Sequence, residues 1–400
     1  MQLNTIDKAD VRGKRVLLRV DFNISTFAGK ITDDFRIKRS LPTIEYLLEN
    51  EAKVIIASHF GRPPENSIDG MKEHEKFSMR PIAERLAQDL RYPVKFISEC
   101  VGEEAEKAVE RMKTGDILVL ENLRFHRGEE ANDSDFAAKL AKLADIYVND
   151  AFSVSHRSHA SVSAITSLLP SYAGFLLAKE VEILHDAYEN PKKPLVMAVG
   201  GGKIETKIKL IRRFFDKSDN ILLGGIVGNF VLHAKGIAIG QSQIGKNIAV
   251  DTGDLDWTSP KLHLPVDVVV ADEISENALT KKVGVGKVGD NEIILDIGPD
   301  TVELFSEVIK SAGTIIWNGP LGFSELPNFA EGTAAFAKAV AKSNAFKIVG
   351  GGDSITVIDK LGLSDRIDFI STGGGAMLEF LSGEPMPGIE ALQVHKVKSL

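Results

Sequence analysis

Short runs of valine, isoleucine and leucine alternate along this chain with longer amphipathic stretches. That rhythm predicts βα units wound around a parallel sheet. In the first half, residues 15–20, 53–58, 94–97, 116–120 and 145–148 read as strands, with helical periodicity over 38–50, 78–90, 103–113 and 133–143. The second half repeats the theme with strands at 195–199, 220–223, 266–270, 314–317 and 346–349. These runs lack polar alternation, so each is expected to be buried on both faces, as parallel strands are. The stretch 282–297, with Gly284, Gly286 and Gly289, breaks the pattern and reads as an irregular or antiparallel insertion. An amphipathic stretch at 174–189, placed between Pro170 and Asn190-Pro191, is the best candidate for a helix joining two domains.

Length supports that division. A chain of 400 residues exceeds one ordinary hydrophobic core. Its composition, 44% hydrophobic and 26% charged, is ordinary for a globular protein. A net charge of −8 argues against nonspecific nucleic-acid binding, and means that any anionic ligand is held by a local cationic cluster. The single cysteine, Cys100, allows no internal disulfide and suits a reducing, cytoplasmic setting; it reads as a structural thiol rather than a nucleophile. The N-terminus lacks the apolar core of a signal peptide. The longest uncharged stretch, 158–178, contains five serines and a proline and is no membrane span.

The candidate chemistry falls into two groups. In the first half, strand-like runs end in Arg19-Val-Asp21-Phe-Asn23, Ser58-His59-Phe-Gly61-Arg62, Glu121-Asn122-Leu-Arg124-Phe-His126 and His156-Arg157-Ser-His159, with Arg36 just after the first. Open α/β sheets bind ligands at the carboxyl ends of their strands. Taken singly, an arginine there is usually a solvated or structural residue; together, such loops line one pocket for a small, highly anionic ligand. His156 and His159 read equally well as packed or surface histidines. The second half carries Gly200-Gly-Gly-Lys203, Gly224-Gly225, Asn318-Gly-Pro320, Gly350-Gly-Gly-Asp353-Ser354 and Thr372-Gly-Gly-Gly375. Glycines let a backbone approach a phosphate closely, and a following helix N-terminus favours anions. If a helix opens at Glu205, Lys203 and Lys207 share one of its faces, the ordinary outcome being a charged solvent face. Asp353 or Ser354 reads as the cap of a helix beginning there. Neither the Gly-x4-Gly-Lys-Ser/Thr loop nor a Gly-x-Gly-x-x-Gly fingerprint is present, which removes support for the commonest phosphate-loop and nicotinamide enzymes.

In this order and spacing the motifs closely resemble the phosphoglycerate kinase family, from about residue 15 to residue 392. The resemblance implies two doubly wound, Rossmann-like α/β domains facing each other across a cleft. It places a phosphoglycerate-binding domain at 1–172, a connecting helix at 173–190, a nucleotide-binding domain at 191–380, and a segment at 381–400 that returns to the first domain. It implies reversible, Mg²⁺-dependent transfer of a phosphoryl group from 1,3-bisphosphoglycerate to ADP, giving 3-phosphoglycerate and ATP, in a hinge-bending cytoplasmic monomer with no nucleic-acid or membrane partner. Under it, Asp21, Asn23, Arg36, His59, Arg62, Arg124 and Arg157 hold the phosphoglycerate. Gly201, Lys203, Lys207, Gly224, Gly225, Asn318, Pro320, Glu325, Gly350, Gly351, Gly352, Asp353 and Ser354 hold the nucleotide, with Asp353 on its Mg²⁺. Arg36, Lys203, Gly373, Gly374 and Gly375 meet the phosphoryl group in flight. Ser25, Ser153, Thr206 and Ser324 depart from the usual family pattern, and Ser153 replaces a glycine. The alternatives are a two-domain phosphometabolite-binding protein of the same fold with little turnover, and a nicotinamide dehydrogenase of similar topology, which the missing fingerprint disfavours.

Overall fold

The structure is a computed structural model, and it describes residues 1–27, 30–64, 75–245 and 255–394. It divides into two compact units, Met1–Ile183 together with the segment from Pro385, and Leu184–Glu384. The division falls inside the long helix Phe175–Glu189, so each unit owns part of it.

The first unit is built on six parallel strands: β1 (Arg15–Arg19), β4 (Lys53–Ala57), β5 (Val94–Phe96), β6 (Ile117–Val119), β7 (Ile146–Asn149) and β8 (Ser171–Ala173). Their order is β5-β6-β4-β1-β7-β8, and a two-stranded hairpin of β2 (Thr26–Phe27) and β3 (Lys30–Ile31) follows β1. The order of connection reverses between β1 and β7, so the loops after these two strands flank the topological switch point, with those after β4 and β6 at the same edge of the sheet. The helix Phe175–Glu189 is fixed to this unit through its first turn. Asp150, directly after β7, accepts from the amides of Leu176 at 2.9 Å and Leu177 at 3.1 Å, while Thr43 Oγ1 accepts from Phe175 at 3.0 Å. Burial pushes the Asp150 carboxyl up to about 6 against these donors. The C-terminal segment also packs here: Asn149 Nδ2 donates to the Gly388 carbonyl at 3.1 Å, and Leu3 bridges Gln393.

The second unit repeats the plan with β9 (Leu195–Val199), β10 (Asn220–Leu223), β11 (Leu262–His263), β15 (Thr314–Asn318), β16 (Phe346–Gly350) and β17 (Phe369–Ile370) in the order β11-β10-β9-β15-β16-β17, all parallel. Here the switch point lies between β9 and β15. Three further strands, β12 (Asp267–Ala271), β13 (Lys281–Gly284) and β14 (Ile293–Ile297), form a separate antiparallel sheet. This corrects the expectation that the run at 266–270 belongs to the parallel sheet. All five residues of β12 are buried, so its composition is that of a parallel strand and only its partners reveal the difference. Strands β8, β11 and β17 were not anticipated; each is two or three residues long, too short to leave a pattern. Among the described residues, no helix is long and apolar enough to cross a membrane.

Candidate active site

The first cluster grows from the loop after β1. Arg36, in the first turn of the helix Phe35–Glu49, donates through Nη1 to Asp21 Oδ2 at 2.6 Å and to the Asn23 carbonyl at 2.9 Å. Ser153 Oγ donates to the same Asp21 oxygen, and the Asn23 amide donates to Asp21 Oδ1 at 3.1 Å. Burial is the largest influence on Asp21 and raises its pKa, but the carboxyl stays below its ordinary value, held there by Arg36, by the Ser153 hydroxyl and by Arg19. Asp21 is therefore an anion whose task here is to hold Arg36.

The remaining loops are tied together through Asn122, which is fully buried. Its Oδ1 accepts from the amides of Phe60 at 3.1 Å and Arg124 at 3.0 Å, and its Nδ2 donates to the carbonyls of Phe60 at 2.7 Å and Phe77 at 2.9 Å. Asn23 Oδ1 accepts from the Gly61 amide at 2.9 Å, and Arg124 Nη1 donates to the Gly61 carbonyl at 2.7 Å. Arg124 also pairs with Glu130 at 3.0 Å. Its pKa is lowered by burial first and then by repulsion from Arg157, Arg19 and Arg62, with Glu130 opposing. Arg62 is exposed at the end of its loop, and half-buried Arg157 donates through Nε to His156 Nε2 at 3.1 Å. Cations that repel one another in a partly buried setting are stabilised by an anion among them.

The histidines of the cluster are uncharged. Burial dominates at His59 and, helped by Arg19, Arg124 and Arg36 against Asp21, sets its pKa well below the ordinary value. Burial and nearby arginines likewise lower His156 and His159 to about 4. His159 packs inside, 3.8 Å from the buried Glu129. The positive charge of the pocket thus resides on arginines.

The second cluster is made largely of backbone. Gly200 donates to the Asn318 carbonyl at 3.0 Å, Gly201 to the Pro320 carbonyl at 2.7 Å and Gly225 to the Leu321 carbonyl at 2.9 Å, which joins the loops after β9, β10 and β15. The contact is too close for side chains: a Cβ on Gly200 would run into the Pro320 carbonyl, and one on Gly319, where φ is +89°, into the Gly200 carbonyl. Lys203 occupies the N-cap position of the helix Ile204–Phe214 with φ of 57°, a left-handed conformation that is strained for a residue with a side chain. Thr206 closes that turn, its Oγ1 donating to the Lys203 carbonyl at 2.9 Å.

Lys207 is not on a solvent face, as helical spacing alone suggests; it is 4% exposed. Its ammonium donates to Asn318 Oδ1 and, at 3.3 Å, to the Asn318 carbonyl. Burial, reinforced by Lys203 and opposed by Asp353, pushes it down to about 7. Asn318 is a hub, because its Nδ2 also reaches Met377 Sδ at 3.9 Å, on the helix Gly375–Ser382. The cap of the helix Gly352–Lys360 is Gly351, with φ of 94°, rather than Asp353 or Ser354. Asp353 sits exposed in the first helical turn and Ser354 is buried. Gly374, with φ of 52°, caps the helix Gly375–Ser382, and a Cβ on Gly374 or Gly375 would meet nothing. Beside these loops lies a cavity of about 260 Å³ with apolar walls from Ile226, Leu295, Leu321 and Phe323 and with Glu325, Asp353 and Gly201 among its lining residues.

The sequence profile of the phosphoglycerate kinase family matches residues 6–384. The chain belongs to the phosphoglycerate kinase family. It is 46% identical over 395 residues to a phosphoglycerate kinase of Dictyoglomus turgidum, covering 96% of each chain, and 44% identical over 392 residues to one of Moorella thermoacetica, covering 97% of this chain and 98% of the relative. Among solved structures, the phosphoglycerate kinase of Coxiella burnetii superposes with a TM-score of 0.84 at 40% identity, over 98% of this chain and 99% of the other. A phosphoglycerate kinase is a phosphotransferase with ATP or ADP as co-substrate, and the reading as a little-active binding protein is not favoured.

Within this phosphoglycerate kinase fold, reasoning from sequence missed a layer of buried residues. Arg19, Glu129 and Asn122 are fully buried; Arg19 reaches His59, Asn122 accepts from the Arg124 amide, and Glu129 stands behind Arg19 through Ser161. For Arg19 the signal was available: a charged residue ending an otherwise apolar strand is costly to bury unless it is paired. A resident metal cage is not needed by this family's chemistry, and among the described residues no group of three or more His, Cys, Asp or Glu forms one. A nucleotide-borne Mg²⁺ takes one or two carboxylates and completes its shell with phosphate and water, and the exposed carboxylate of Asp353 beside the glycine loop fits that need.

Proposed function

We propose that the arginine cluster of the first unit binds phosphoglycerate and the glycine loops of the second bind the nucleotide, so that each unit supplies one reactant. The observation that carries this reading is the difference in donors: side-chain guanidiniums held by Asp21, Gly61 and Glu130 in one unit, and fused glycine loops beside an apolar cavity in the other. Guanidinium forks suit a ligand carrying several anionic groups. Glycine amides at helix N-termini suit a phosphate chain whose base lies against apolar walls.

Within this reading Arg36, Arg62, Arg124 and Arg157 hold the carboxyl and phosphate groups of phosphoglycerate, with Asp21, Asn23 and His59 at its polar centre. Gly224, Gly225, Pro320 and Glu325 surround the nucleoside. Lys207, Asn318, Gly350, Gly351, Gly352 and Ser354 serve the phosphates, and Asp353 holds Mg²⁺, which neutralises phosphate charge. The transfer breaks the P–O bond to the carboxyl oxygen of 1,3-bisphosphoglycerate and forms one to the terminal phosphate oxygen of ADP. No proton need move, because a carboxyl with a pKa of roughly 4 is ionised at neutral pH. Catalysis then consists of positioning and charge neutralisation by Arg36, Lys203 and the amides of Gly373–Gly375. Since the reactants are assigned to different units, those units must be brought together for transfer, excluding water from the acyl phosphate. The enzyme acts as a cytoplasmic monomer, a setting that suits its single buried thiol. A coupled assay of ATP formation from 1,3-bisphosphoglycerate and MgADP tests the reading. Robust turnover is expected, and binding of both ligands without turnover would overturn it.

A further inference from the structure

A buried relay stands behind the arginine cluster and contributes nothing to its surface. Glu129 and Arg19 are both fully buried. Ser161 Oγ donates to Glu129 Oε1 at 2.6 Å and accepts from Arg19 Nε at 2.9 Å. Arg19 Nη1 donates to the Val20 carbonyl, and Nη2 lies 3.2 Å from His59 Nδ1. A guanidinium has donors and no acceptor. The partner of Nη2 must therefore be a lone pair, so Nδ1 of His59 carries no proton, and the ring is neutral with its hydrogen on Nε2. Among the described residues Nε2 has no hydrogen-bond partner, and His59 sits on the loop after β4 beside Asp21, Arg36 and Arg124.

We propose that Arg19 is a positioning residue: by donating to Nδ1 it fixes His59 as the neutral Nε2–H tautomer, an uncharged donor for an oxygen of the bound phosphoglycerate. This rests on the assignment of phosphoglycerate to the first unit. The charged groups facing His59 are Asp21, Arg19, Arg124 and Arg36, three cations against one anion, so the surroundings oppose a second proton on the ring. The anionic ligand is thus met by permanently charged arginines, and the imidazole adds direction without charge. Glu129, reaching Arg19 through Ser161, keeps the guanidinium aimed; a cation buried without such a partner is costly.

The test follows the ring directly, because the ligand's own phosphate titrates near pH 6 and obscures kinetic profiles. Nitrogen-15 NMR of His59 in the ligand-free, full-length wild type is expected to show the Nε2–H tautomer alone from pH 5.5 to 8, with no titration. An Nδ1–H tautomer, or a midpoint near the ordinary value of about 6.5, overturns the proposal. Arg19→Met combined with Glu129→Gln removes the relay without stranding a buried charge. In that variant the ring is expected to mix tautomers or titrate, with KM for 3-phosphoglycerate rising about tenfold while kcat and KM for MgATP stay within about twofold. Retention of the single tautomer and of KM would show that Arg19 does not position the ring. Should the double variant fail to fold, the wild-type tautomer still decides. An enzyme without ATP formation would remove the assignment of function and leave the tautomer as found, whereas a wrong tautomer in an active enzyme removes only this inference.

Discussion

In the first unit the donors are side chains, and the protein already holds most of them: Arg36 on Asp21, Arg124 on Gly61 and Glu130, Arg157 on His156. In the second unit the loops are fused backbone to backbone, the amides of Gly200, Gly201 and Gly225 donating to the carbonyls of Asn318, Pro320 and Leu321. The two solutions fail differently. An arginine can be truncated with the loss of one ion pair, since its neighbours remain tied to separate loops. A Cβ on Gly200 or Gly319 would instead collide with the backbone of the facing loop, and one on Gly225 would press on Gly201 and Pro320 together. Side-chain recognition is graded and backbone recognition nearly all-or-none.

The largest effect is expected where neither solution applies. Lys203 is exposed, strained and aimed by its own backbone conformation. Lys203→Ala should lower kcat on the order of 10²–10³-fold, as loss of one oxyanion donor does, while MgADP affinity stays within about threefold. Steady-state kinetics with a binding titration checks this, and near-normal kcat would reduce Lys203 to a surface lysine. Next comes Gly319→Ala. A left-handed backbone and a collision with the Gly200 carbonyl should cost about 2–3 kcal/mol, read as a roughly 30-fold or greater loss of nucleotide affinity. Unchanged 3-phosphoglycerate binding by the same protein would sharpen the contrast between the units.

Smaller still is a pH effect at Lys207, whose pKa is depressed to about 7. Between about 7 and the ordinary 10.5 the unfolded chain binds a proton there that the folded chain lacks, so this residue's contribution to stability rises with pH across that window. A phosphate beside Lys207 favours the ammonium, so MgADP binding at pH 8 should take up close to one proton, and affinity should fall about threefold to tenfold from pH 7 to 8. Calorimetry in two buffers of different ionisation enthalpy reads the uptake. The smallest change is expected for Ser153→Gly, which removes one of the donors to Asp21. KM for 3-phosphoglycerate should rise about twofold to threefold, with nucleotide constants unmoved.

The same contrast explains what was legible in the sequence. Strands β9 and β10 were readable to the residue because a buried parallel strand announces itself as an unbroken apolar run. The strand β12 has the same composition in an antiparallel sheet, and pairing leaves no trace in a single strand's residues. The glycine loops showed as spacing, yet the burial of Lys207 did not, because a lysine at helical spacing from Lys203 looks like a solvent face until Asn318 is placed against it. Arg36, Arg62, Arg124 and Arg157 were visible as cations after strands. Arg19, Glu129 and Asn122 were not assigned, since their partners Ser161, His59 and Phe60 are far away in sequence and meet only in the fold.

The division of ligands between the two units governs every effect above. Titration calorimetry of Arg157→Ala with 3-phosphoglycerate and, separately, with MgADP tests it most directly, with Arg62→Ala as its companion. A loss of roughly tenfold or more in 3-phosphoglycerate affinity is expected for each variant, with MgADP affinity equal to that of the wild type. Equal losses for both ligands would contradict it.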